Sequence, residues 1–128
     1  MKRFFLILLF LLLTSCYTIE RKCSDFKTGR FEFNYIVDGV EKTGQFTRTE
    51  ALNIDDYEGN LDSSSVRWIN DCEFILKKLH PKSNSEKDAI HMKILSTTSN
   101  SYTFEYKLAV KKLNKPIRLE KGIATKIN

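Results

Sequence analysis

Tyr102-Thr103-Phe104-Glu105-Tyr106-Lys107-Leu108-Ala109-Val110 is the stretch that decides the fold. Apolar side chains fall at every second position, with polar ones between them for most of the run. A period of two places all five apolar residues on one face of an extended chain, which is the pattern of a half-buried strand. The same period recurs upstream. Phe31, Phe33, Tyr35 and Val37 alternate with Glu32, Asn34 and Ile36, and Asp38-Gly39 then gives the two-residue hairpin signal. Val40 to Thr49 returns as a polar, Thr-rich strand.

Leu52 and Ile54 alternate into the turn-rich Asp55-Asp56-Tyr57-Glu58-Gly59-Asn60. Val66, Trp68, Cys72, Phe74 and Leu76 share parity, interrupted at Asn70-Asp71 by a tight turn or bulge between two strands. His80 to Ser85 reads as a loop, with one helical turn from Ser85 to Asp88. Ile90, Met92 and Ile94 make the next strand, Ser99-Asn100 a turn, and Leu119 to Ile127 a last strand after Pro116. No amphipathic helix of three turns and no repeat interrupts this order.

The expectation is an all-β domain: an antiparallel meander of seven or eight strands, curled into a small barrel or half-barrel that removes its own edges. A two-sheet sandwich is the alternative. Parity sends Phe31, Phe33, Leu52, Trp68, Phe74, Met92, Ile94, Phe104 and Tyr106 inward. So many large side chains would fill an eight-stranded interior and leave at most a shallow pocket.

The start of the chain has a different character. Met1-Lys2-Arg3 is positive and Phe4 to Leu13 is ten apolar residues, too short to cross a bilayer but right for a signal-peptide core. Leu13-Thr14-Ser15-Cys16 resembles the bacterial lipobox, which implies cleavage before Cys16 and acylation of its thiol. One acyl chain binds a membrane marginally; two or three, at ~0.8 kcal/mol per buried methylene, anchor stably. The organisation is therefore residues 1–15 as signal peptide, 16–25 as lipidated cysteine and tether, and 26–128 as one domain. Tyr17 stands where the sorting rule of Gram-negative envelopes has an aspartate for inner-membrane retention, so the resemblance implies the outer membrane. The following Thr18 to Lys22 is not an acidic surface-export run, which favours the periplasmic face.

Removing the leader leaves 113 residues and reduces the formal charge from +5 to +3. Charges of both signs alternate along the chain, unlike the basic stripe of a nucleic-acid binder, and nucleic acid is the wrong partner for an exported, anchored protein. Cys23 and Cys72 remain, an even count in an oxidising compartment. A disulfide between them would close about 50 residues and stabilise by ~4 kcal/mol. The alternatives are two buried free thiols, or a redox or metal site, although a redox pair is normally close in sequence and zinc wants four ligands.

Two resemblances follow from particular residues. Thr28-Gly29-Arg30-Phe31 is similar to the Gly-x-aromatic opening of lipocalin-type barrels, with Phe31 where that family has tryptophan, and implies a carrier of a small apolar ligand. Cys23 to Gly29, Phe46-Thr47-Arg48-Thr49 and Ser65 to Phe74 resemble a group of short Gram-negative envelope lipoproteins, some labelled DNA topoisomerase IV. That label does not suit a chain of this size and address. The group implies an envelope location and no particular reaction.

No catalytic set can be named. His80 precedes a proline in a loop and His91 faces away from Ile90 and Met92; both read as solvated, without a nucleophile or an orienting carboxylate. Asp55, Asp56, Glu58 and Asp62 gather around Gly59 without EF-hand spacing, so they read as an acidic turn and no metal or cofactor is expected. Ser63-Ser64-Ser65 reads as a strand-entry loop. Phe31, Phe33, Trp68, Phe74, Phe104 and Tyr106 are either core or, in an open barrel, ligand lining. The sequence thus leaves two leading classes, with an enzyme third: a binder of a small apolar ligand or of a segment of another envelope protein, or an accessory module docked on a larger outer-membrane complex, an enzyme inhibitor included. An empty closed barrel would favour the first and a filled one the second.

Overall fold

A computed structural model describes Ile19, residues 21–114 and residues 116–127. The leader and the lipobox cysteine Cys16 lie outside the described residues. Eight strands follow in sequence: β1 (Gly29–Val37), β2 (Val40–Arg48), β3 (Leu52–Tyr57), β4 (Asn60–Asn70), β5 (Glu73–Lys78), β6 (Ile90–Thr97), β7 (Ser101–Leu108) and β8 (Glu120–Lys126). Each pairs antiparallel with the next, and β8 returns to β1, so the meander closes into a barrel. The only helical pieces among the described residues are two 3-10 turns, Cys23–Phe26 and Ser85–Lys87. The second lies where one helical turn was expected.

The hairpins explain the register. Asp38-Gly39 and Glu58-Gly59 both adopt left-handed backbone at the two central positions, with φ of 52° and 77° in the first and 53° and 88° in the second. Such turns match the twist of the flanking strands, and glycine takes the second position without a Cβ penalty. A bulge between Trp68 and Asn70 and another between Ile94 and Ser96 bend β4 and β6 around the barrel.

The two ends of the barrel differ. At one end the 3-10 turn Cys23–Phe26 plugs the opening, and Cys23, Phe26, Phe31, Phe46, Ile94, Tyr102 and Ala124 pack as the buried core. Phe33, Trp68, Cys72 and Phe104 pack against it. Phe31 and Phe46 face each other directly across β1 and β2 with rings stacked at 4.9 Å. Cys23 and Cys72 form a disulfide that ties the plug to the β4–β5 turn. Cys23 and Phe26, on either side of the expected 25/26 boundary, both belong to the buried core.

The other end is open, and two expectations about the interior fail. Leu52 does not face inward. Directly opposed residues of neighbouring strands share a face. Phe46 and Arg48 point in from β2, so their partners Asp55 and Asn53 point in from β3, and Leu52 takes the outer face. Ser63-Ser64-Ser65 is not a loop but the middle of β4, with Ser64 buried inside the barrel. These exchanges put small and polar side chains where large apolar ones were expected, so the interior is not filled.

Candidate functional site

The unfilled half is a cavity of about 480 Å³, open at the hairpin end. Of the aromatic candidates, Phe33, Phe104 and Tyr106 line it, while Phe31, Trp68 and Phe74 belong to the packing of the closed end. Phe33 and Phe104 hold their places against glycines. Each lies directly opposite one, Gly44 and Gly122, and a Cβ there would come within 2.6 Å of the ring. Phe33, Tyr35 and Tyr57 form a connected aromatic wall, with ring centroids 5.3–5.9 Å apart. Leu76, Ile90 and Met92 make the facing apolar surface.

The floor is polar, and sequence reading missed it. Arg48, at 2 % exposure, lies over the rings of Phe31, Phe46, Trp68, Phe74 and Tyr102 at 4.7–5.7 Å. Its Nε donates to the Lys27 carbonyl, and its Nη2 to the Phe26 carbonyl and the Tyr102 hydroxyl. Nη1 donates to no described residue. Beside it stand Asn53, Asp55, Ser64 and Tyr102, all contributing to the cavity surface. Asn53 Nδ2 donates to Asp55 Oδ1 at 2.8 Å, whereas the hydroxyl of Ser64 has no hydrogen-bond partner among the described residues.

Higher in the cavity, Lys78 and its acidic neighbours are mutually satisfied. Lys78 Nζ bridges Asp62 at 2.8 Å and Glu86 at 2.7 Å, which holds the ammonium well above its usual range. Lys112 takes Asp88 at 2.6 Å. Asp55 has no ion-pair partner among the described residues. Burial raises its pKa to about 6, with Asp62 adding to the rise and Asn53, Lys78 and Arg48 opposing it. Burial likewise pushes Tyr57 up to about 12. Asp55 and Asp62 are thus interior residues on facing strands, and only Asp56, which accepts from Gly59 N, serves the turn itself. Among the described residues no three His, Cys, Asp or Glu side chains are grouped to hold a metal.

His80 is exposed, as expected. His91 lies on the outer face but is half-buried, its Nε2 3.1 Å from Glu73 Oε1. With both histidines outside, neither can act as base for Ser64 within. The barrel therefore offers a chamber, open at the hairpin end, with aromatic walls and a donor-rich floor.

No family model, curated protein or solved structure matches the chain. Its chemistry has to be read from its own residues.

Proposed function

We propose that the chain is a cell-envelope lipoprotein, anchored in the outer membrane through acyl chains on Cys16, whose barrel binds one small amphipathic molecule without transforming it. The cavity carries this reading. A volume of about 480 Å³ falls within the ~300–1,000 Å³ range of small-molecule sites, and its few polar groups converge at one end of an apolar chamber. An accessory subunit needs an outer docking face and has no use for such a chamber. Ile36, Val40, Leu61 and Val110, exposed at the hairpin end, give the mouth an apolar approach suited to an amphiphile.

The test is to extract the full chain from its own envelope, wash it, release bound small molecules with solvent and identify them by mass spectrometry. A small amphiphile should accompany the wild-type protein in near-stoichiometric amount and be depleted in Ser64→Phe, which fills the floor. Identical small-molecule profiles from folded wild type and variant would sink the reading.

A further inference from the structure

Building on the carrier reading, we infer that the ligand is an organic monoanion with an apolar body, its carboxylate seated on Arg48, Tyr102 and Ser64 at the cavity floor. Three buried groups there have unspent donors. Arg48 uses Nε and Nη2 on protein oxygens and leaves Nη1 over. The Tyr102 hydroxyl accepts from Arg48 and donates to no described residue, and Ser64 Oγ has no partner among them. Tyr102 is 1 % and Ser64 6 % exposed, so these donors open only into the chamber. These donors reach the accessible space of the chamber, where a ligand's oxygens can replace water, and a guanidinium with a hydroxyl beside it matches the two oxygens of a carboxylate. Phe33, Phe104 and Met92 stand above the floor to receive the apolar body.

Asp55 faces the same space and at first sight favours a cation. Arg48 and Asp55, however, are not equally adaptable. Arg48 cannot shed its proton, so an incoming cation would always meet a fixed positive charge. Asp55 is already raised toward neutrality by burial and can take a proton when an anion arrives. The groups influencing Asp55 are Asn53 and Tyr57 on its own strand, Arg48 on β2, Asp62 on β4, Lys78 on β5 and Tyr102 on β7. With Asp62 and Lys78 bonded to each other, Asp55 is the one free to respond. A dianionic head would meet this carboxylate with twice the repulsion, which favours a carboxylate over a phosphate.

The experiment compares three probes of one chain length: octanoate, octanol and octylammonium. Each is titrated calorimetrically into the full chain in phosphatidylcholine nanodiscs, with protein-free discs as blank. Octanoate is expected to bind at least about tenfold tighter than octanol, the ratio for a charge-assisted hydrogen bond. Because binding takes up a proton at Asp55, octanoate affinity should rise from about pH 7.5 to about pH 6. Asp55→Asn should tighten octanoate severalfold at the higher pH and flatten that dependence, a gain that damage to the fold would not produce. Arg48→Met should remove the octanoate preference. Since Arg48 also holds the plug, Tyr102→Phe serves as the milder variant, weakening octanoate while leaving octanol unchanged. Octanol equal to octanoate, or octylammonium binding best and lost in Asp55→Asn, would overturn the anion seat and leave the carrier reading standing. Failure of all three probes to bind would overturn both.

Discussion

At the residue scale the decisive side chain is Arg48. A buried charge is costly unless it is paired or amply hydrogen-bonded, and no carboxylate among the described residues touches it. Carbonyl oxygens from the plug, the Tyr102 hydroxyl and five aromatic faces stand in for one. The sequence hides this role because an arginine in a Thr-rich strand reads as solvated. The available signal was its parity with Phe46, two residues back. Asp55 is hidden in the same way, inside what reads as an acidic turn. Its raised pKa has a stability consequence with a definite sign. The native carboxyl holds its proton to higher pH than the unfolded chain does, so stability falls as pH rises from the ordinary carboxylate range to about 6. Asp55→Asn should therefore stabilise the barrel above about pH 6, by on the order of 1–3 kcal/mol, with little effect below about pH 4. Chemical denaturation at both pH values checks this; equal effects at the two would contradict it.

At the element scale the strands and turns were largely legible, because period two, Asp38-Gly39 and Ser99-Asn100 are local signals. What was not legible is which face of β3 looks inward. Leu52 and Ile54 advertise one face, but the register imposed by β2 selects the other, and no local pattern records a cross-strand partner. The barrel's closure has a similar hidden weakness. The β1–β8 ladder is the shortest, ending at Glu32↔Thr125, while β1 continues to Val37. The Arg30 carbonyl accepts from Ile127 N, so residues of Arg30's parity turn their backbone toward β8. The amides of Asn34 and Ile36 should therefore exchange with solvent far faster than those of Phe33 and Tyr35, which face β2. Hydrogen exchange read by NMR tests this, and equal protection would mean the seam is fully zipped. The plug gives a second expectation at this scale. The disulfide spans a sequence separation of 49, and losing a bond over such a loop costs ~4 kcal/mol. Cys72→Ala should lower the melting temperature by well over ten degrees in a domain of this size, roughly 4–8 °C per kcal/mol. A shift of a degree or two would show that the plug holds without its bond.

At the scale of the whole molecule, the N-terminal end of the described chain and the mouth lie at opposite ends of the barrel. The tether enters at the plug: Arg21 Nη2 donates to the Ile94 carbonyl and Lys22 N to Thr97 Oγ1, both on β6 near the closed end. Only Tyr17 to Glu20 separate these docked residues from Cys16, and the five steps from Cys16 to Arg21 reach at most about 18 Å. Acyl chains on Cys16 would thus hold the closed end near the bilayer and aim the mouth away from it. This arrangement suits a carrier that exchanges its ligand with the aqueous space or with a facing partner, and not one that draws it from its own membrane. Two measurements test the geometry. Cys16→Ala should free the protein from membranes, and intact mass should show acylation of the native form; a soluble, unmodified wild type would remove the premise. A fluorophore at Ser99, in the β6–β7 turn of the closed end, should be strongly quenched by lipid-borne quenchers. One at Leu113, which is almost fully exposed in the β7–β8 loop, should be quenched little. Equal quenching at the two sites would mean that the barrel lies on its side, with its mouth within reach of the membrane.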